Sequence, residues 1–157
     1  MDVKVNWHGR LTFTGTADSG FEVPLGTEPK VGGDDDGFRP MELMALSIAG
    51  CTAMDVISIM IKKRQDVTDF EVKVHTEQAE KHPKVFTIAK IEYIFSGHDI
   101  DEAAAVRSIE LSAIRYCPAQ GMLAKIMPFD LRYQIYEDLG DGERKLVTTG
   151  KCLLPDA

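Results

Sequence analysis

Three cysteines, Cys51, Cys117 and Cys152, are the residues of this chain best suited to covalent chemistry. A deprotonated thiol is a strong nucleophile and can be oxidised reversibly to a sulfenic acid or a disulfide. Three cysteines are too few, and an odd number, for the disulfide framework of a secreted domain. A cytoplasmic protein with reduced or reversibly oxidised thiols is therefore expected. Cys51 lies midway along an apolar segment, with Ser47, Met54, Asp55 and Ser58 on the same face at helical spacing. It reads either as a reactive thiol or as a small core hydrophobe, a common place for a free cysteine. Cys117 precedes Pro118 at a helix start, where the positive end of the helix lowers a thiol pKa, so local reasoning ranks it as the more acidic of the two. A carboxylate one turn from Cys51 would raise that thiol's pKa, so Asp55 is expected to make a structural hydrogen bond. Cys152 has no motif or partner in the sequence.

Other chemistries lack their residues. The four histidines, His8, His75, His82 and His98, share no metal-ligand spacing with one another, with a cysteine or with a carboxylate cluster. The Asp34-Asp35-Asp36 run reads as a solvated loop tip. There is no Gly-x-Ser-x-Gly elbow, no phosphate loop and no strand–helix unit with a Gly-rich turn. No metal and no cofactor is expected. The formal net charge of −7 argues against nucleic acid and anionic membrane as partners, because both require a basic footprint.

The elements that must position the cysteines follow from length and periodicity. A chain of 157 residues that is 44% hydrophobic can build a core as a single domain, 1–157, without metal or disulfide support. Met1-Asp2-Val3-Lys4 opens no apolar h-region, so no signal peptide is expected. The segment from Leu43 to Ile61 has 19 residues and one charge, about the length of a membrane span. Asp55 inside it would cost roughly 2.5–3.5 kcal/mol at mid-bilayer, and strands with one apolar face elsewhere need a cover. A buried central helix is the expectation. It starts near Pro40, carries Glu42 in its first turn and ends at Lys62-Lys63-Arg64, both matching the helix dipole. Apolar residues on nearly every face predict that it is buried all round.

Residues 3–15 read as two short strands or a bent one, and 21–25 as a strand that Pro24 places at an edge. Alternation over 69–79 and 85–96 predicts a long hairpin turning at Lys81-His82-Pro83-Lys84. Asp99 with Glu102 resembles a capping box for a second helix over about 101–115. A third, short helix opens at Cys117-Pro118, and 129–137 reads as a strand. Beyond about 137 lies a C-terminal extension in which 145–154 could return as a last strand. The order of elements is α+β, with antiparallel sheet wrapped around the helices.

The run from Pro40 to Thr52 (PMELMALSIAGCT) resembles the first cysteine signature of the OsmC/Ohr family of thiol peroxidases, and Tyr116-Cys117-Pro118 resembles the second. Order, spacing and the intervening hairpin are similar over roughly 3–137. Met54-Asp55-Val56 and Lys62 to Val67 are similar to the YhfA-like branch of the family. The resemblance implies an OsmC-like fold in an intertwined homodimer with cysteine sites at the subunit interface. It implies that Cys51 attacks a peroxide and that Cys117 closes a disulfide with it. It further implies a small-molecule peroxide as substrate and a dithiol such as dihydrolipoamide as reductant.

In the family a Glu beside the motif proline and an Arg from an N-terminal loop activate the first thiolate. Counted from Pro40, the Glu position is Met41, and Glu42 is its neighbour. In a regular helix Glu42 would lie roughly 180° from Cys51 and Met41 about 80°. Arg10 and Arg39 are the candidate arginines. The usual Pro-x-Ser after the second cysteine is Pro118-Ala119-Gln120 here. An OsmC-like protein without peroxidase activity, serving as a thiol redox sensor or a small-ligand binder, is the alternative these departures leave open. A structural domain with incidental cysteines is a third.

Overall fold

The computed structural model describes residues 1–153. The chain divides into two compact units, Met1–Met44 and Ala45 onward. In the first, β1 (Val3–Gly9), β2 (Thr12–Ala17) and β3 (Glu22–Leu25) form an antiparallel sheet in that order. Residues 3–15, which the sequence allows as two strands or a bent one, are two strands. Gly9 (φ 115°) and Arg10 (φ 46°) turn the chain between them in the left-handed region. Pro24 does sit in a terminal strand of the sheet. Gly37 passes so close to β3 that a Cβ there would lie 2.6 Å from the backbone nitrogen of Leu25. That approach lets Phe38 bridge to Leu25.

The second unit holds a four-stranded sheet, ordered β4 (Asp66–Gln78), β5 (Phe86–His98), β6 (Phe129–Gly140) and β7 (Glu143–Cys152). β4 and β5 make the expected long antiparallel hairpin, with Lys73 opposite Glu92 and Val74 opposite Ile91. β6 and β7 form a second hairpin, turning through Gly140, Asp141 and Gly142, all at positive φ. Residues past 137 therefore complete the sheet.

The sheet is not wholly antiparallel, contrary to the expectation from sequence: β5 and β6 run parallel. Between them lie α2 (Glu102–Leu111), a π-helical turn (Ser112–Tyr116) and α3 (Pro118–Leu123). A helical crossover of this length carries the chain back to the end where β5 began, so β6 enters in the same direction. The cap of α2 also differs from the expected one. Asp101, not Asp99, caps the helix, accepting from the amide of Ala103 at 3.0 Å. Asp99 is held at φ 49° and cannot serve.

The inner face of the sheet buries Ala89, Ile91, Tyr93 and Phe95 of β5 and Leu131 and Ile135 of β6. Phe70 of β4 stacks on Phe95 with centroids 4.8 Å apart. The long helix α1 (Pro40–Lys62) is not buried all round, contrary to expectation. Only Ile48, Thr52, Val56 and Met60, each four residues from the next, are fully covered. Leu46, Met54 and Ile61 remain 55–71% exposed, because one sheet covers only one stripe of a helix. By length and composition α1 could cross a membrane. Here its Thr52 hydroxyl is hydrogen bonded to Tyr93 of the sheet, 2.7 Å away, which makes it a core helix of the fold.

Candidate functional site: the paired thiols

Cys51 and Cys117 come from separate elements and meet. The two Sγ atoms and a carboxylate oxygen of Asp55 all lie within 4.8 Å of one another. Cys51 sits mid-helix on α1 and is half-buried, whereas Cys117 is 3% exposed. No disulfide joins them in this structure.

Local structure explains the placement of Cys117. Pro118 bars continuation of α2 into α3, because it lacks the N–H that the helix would need. The chain loosens first into the π turn, closed by the Cys117 amide donating to the Ser112 carbonyl at 2.9 Å. The extra residue of a π turn rotates the downstream chain about the helix axis, and π turns recur at functional sites. Cys117 then becomes the N-cap of α3, with its Sγ accepting from the Gln120 amide at 3.4 Å.

A chain of buried hydrogen bonds supports the pair from behind. The Gln120 side-chain amide donates to Tyr93 Oη (3.5 Å), and Ser112 Oγ donates to Asp55 Oδ2 (3.2 Å). Thr52 Oγ1 stands between them, 2.7 Å from Tyr93 Oη and 2.9 Å from Ser112 Oγ. Each hydroxyl owns one proton. Ser112 spends its proton on Asp55, so Thr52 must donate to Ser112 and Tyr93 to Thr52. The chain therefore runs one way, from Gln120 through three hydroxyls to Asp55. Asp55 thus makes the structural hydrogen bond its position called for.

The electrostatics overturn the expectation of an acidic Cys117. Cys117 is pushed up to about 11, mainly by burial; the hydrogen bond from the Gln120 amide works against this, and the neighbouring Cys51 adds to it. The helix-start effect expected to acidify it comes from a helix of only six residues, and desolvation outweighs it. Tyr93 is likewise raised, first by burial. Cys152 lies on β7 opposite Leu131 and is buried, and its thiol is raised to about 11 by desolvation and the charge of Glu110.

This arrangement of strands, central helix and two thiols can be set beside known proteins. The family model for the OsmC-like protein matches residues 33–132. The chain belongs to the OsmC-like family. Protein YhfA of Escherichia coli strain K12 is 36% identical over 135 residues, covering 86% of this chain and 98% of that protein. The crystal structure of a hypothetical protein from Aquifex aeolicus VF5 is 27% identical with a TM-score of 0.77, covering 87% of this chain and 96% of that one. An organic hydroperoxide resistance protein from Elizabethkingia anophelis shares the fold at 15% identity and a TM-score of 0.62, over 87% and 94% of the two chains.

The other candidate residues of this OsmC-like chain have partners of their own. Arg10, in the turn after β1, forms an ion pair with Asp34 and reaches the Gly33 carbonyl. Arg39 pairs with Glu42 at 3.1 Å and Asp35 at 3.2 Å. Glu42 also accepts from the Arg39 backbone amide at 3.0 Å, the reciprocal bond of a capping box that fixes the start of α1. That hydrogen bond is the leading cause of the lowered Glu42 pKa. The sequence motifs include Thr52 and Gln120 but assign no role to them, nor to Tyr93 and Ser112. The available signal was a polar residue beside each cysteine motif, Thr52 after Cys51 and Gln120 after Pro118.

Proposed function

We propose that this OsmC-like protein reduces organic hydroperoxides with Cys51 as the attacking thiolate and Cys117 as the resolving thiol. The supporting observation is the approach of the two sulfurs to within 4.8 Å from separate elements. Exposure orders the two roles. Cys51 is half-buried, within reach of a small substrate; Cys117 is buried and its thiol is raised to about 11, so near neutral pH it keeps its proton. The peroxide step needs a thiolate open to substrate at the outset, whereas Cys117 can give up its proton later, to the departing sulfenic hydroxyl as water forms.

The Cys51 thiolate attacks the terminal peroxide oxygen, breaking the O–O bond and leaving a sulfenic acid and an alkoxide that takes a proton to become the alcohol. The Cys117 sulfur then displaces the sulfenic hydroxyl, forming the disulfide and releasing water. A dithiol, dihydrolipoamide or its equivalent, returns both sulfurs to thiols and is itself oxidised to a cyclic disulfide. Family relatives named for organic hydroperoxide resistance support the substrate class. The exposed apolar residues of α1 support a homodimer in which a second copy covers them. The cytoplasm, with its reducing thiol pool, is the compartment this cycle needs.

The test is hydroperoxide consumption with a dithiol as reductant. Cys51→Ser should abolish turnover, and Cys117→Ser should stop it after one equivalent. An unchanged rate in Cys51→Ser sinks the proposal. A second reading, a thiol redox sensor or small-ligand binder, draws on Met41 at the family's Glu position and on the mutual Arg39–Glu42 pairing. Oxidation of Cys51 by stoichiometric hydroperoxide within seconds favours the peroxidase; reaction over many minutes favours the sensor or binder.

A further inference from the structure

We propose that the reduced protein binds a thiophilic divalent cation, Zn2+ in the first place, through Cys51 Sγ, Cys117 Sγ and the Asp55 carboxylate. The chelation rests on the juxtaposition of these three donors and stands apart from peroxide chemistry, although it uses the same sulfurs.

Three features carry it. The first is donor type and spacing. Cysteine sulfur and aspartate oxygen are established zinc ligands, with bonds of about 2.3 Å and 2.0–2.2 Å. Donors around a tetrahedral ion then stand roughly 3.3–3.8 Å apart. The three donors here lie within 4.8 Å of one another, so a closure of about an ångström brings them onto one ion. The second is ligand number. Three protein ligands leave a fourth position, the pattern of zinc sites that exchange water or a small ligand. Cys51 is only half-buried, so water or a small ligand can reach the pair from its side.

The third is the support around the donors. Metal ligands are held by outer hydrogen bonds that fix their orientation. Asp55 is aimed by Ser112 Oγ at 3.2 Å, and Ser112 by Thr52 at 2.9 Å. The Gln120 amide points at Cys117 Sγ, 3.4 Å away, as amides do at metal-bound sulfur. Two sulfurs and a carboxylate oxygen converge here from two separate elements. A cation would join all three, with Asp55 keeping its hydrogen bond from Ser112 while it ligates through an oxygen.

Metal and disulfide exclude each other. With a hydroperoxide as oxidant, the bound dithiolate, one ROOH and two protons give the Cys51–Cys117 disulfide, ROH, water and the free cation. The two electrons pass from sulfur to the peroxide oxygen. Oxidation therefore releases the metal, and bound metal shields the thiols.

The experiment is titration of the full-length, chelator-treated, reduced protein with Co2+, then with Zn2+, in the absence of peroxide. One Co2+ per chain should bind with a sulfur-to-cobalt charge-transfer band in the near ultraviolet and tetrahedral bands in the visible. Zn2+ should bleach both. Cys51→Ser and Cys117→Ser should each weaken the charge-transfer band, and the double variant should lose it. Ser112→Ala, which leaves the three donors in place, should loosen binding about 10–100-fold, and Asp55→Asn at least as much. Cys152→Ala should bind as the parent does, and circular dichroism of each variant checks that it folds. Absence of a charge-transfer band, or its survival in the Cys51→Ser/Cys117→Ser double variant, overturns the proposal. So does unchanged affinity in folded Asp55→Asn. A protein that binds Co2+ through both thiols yet turns over no hydroperoxide upholds this site and refutes the peroxidase.

Discussion

Replacing Thr52 by valine tests the one-way hydrogen-bond chain with almost no change of shape. Thr52, Tyr93 and Ser112 are each 0% exposed, so no water replaces a lost partner. Valine deprives Tyr93 of the acceptor for its proton and Ser112 of the donor to its oxygen. A buried donor left without a partner costs about 1–3 kcal/mol. Loss of an acceptor's partner costs less, since the Ser112 proton still reaches Asp55. The expected destabilisation is about 2 kcal/mol, a fall in Tm of about 4–8 °C for a chain of this size. Urea unfolding at fixed protein concentration measures it, because an oligomer's stability depends on concentration. Tyr93→Phe removes that donor but strands the Gln120 side-chain amide that donates to Tyr93 Oη, so its cost should be similar. In the Thr52→Val/Tyr93→Phe double variant no unsatisfied tyrosine proton remains. Its destabilisation should fall short of the sum of the singles by about 1 kcal/mol. Additive effects, or a Thr52→Val variant as stable as the parent, would refute the assignment of proton direction.

Two further expectations concern the thiols. Brief alkylation of the native protein at pH 8 should label Cys51 ahead of Cys117 and Cys152, because only Cys51 is not fully buried; peptide mapping that finds Cys117 labelled first would contradict the roles proposed for the pair. Burial raises the Cys152 thiol from 9.0 to about 11. Its neutral form is thus favoured by folding, so its contribution is complete below pH 9 and is lost as pH rises through about 11. Cys152→Ala should show a shallower alkaline decline in stability between those values, with the remainder carried by the other raised groups, Cys117, Tyr93 and Tyr133, and an identical slope would count against it.

The hairpin of β4 and β5 was legible because alternation over two adjoining segments is local information. The pairing of β5 with β6 was not. It depends on where some thirty residues of helix and turn return the chain, and no periodicity in either strand records direction. The same division runs through the site. The cysteine motifs could be read from their neighbours in sequence. Thr52, Tyr93 and Ser112 belong to three elements, 41 and 60 residues apart counted from Thr52, and become a chain only once folded. The error over Cys117 has the same origin. A helix start is visible in Cys117-Pro118, whereas the burial that outweighs it is supplied by residues far along the chain. The apolar surface of α1 misled for a related reason: composition tells how apolar a helix is, not which of its faces the fold covers.

The two sulfurs differ in mechanical compliance. Cys51 rides on 23 residues of continuous helix, pinned through Thr52 to the central strand of the sheet. Cys117 sits at a joint between a five-residue π turn and a six-residue helix. Any direct bond between the sulfurs must shorten their separation to about 2 Å. A stiff rod and a soft joint do not share such a displacement equally: the strain falls on the joint. Cys117 must then give up the Gln120 amide that it caps, and α3 loses its anchor at the first residue. If the pair closes the proposed disulfide, residues 112–123 would loosen locally, and the amides of α3, rather than those of α1, are where hydrogen exchange would register it.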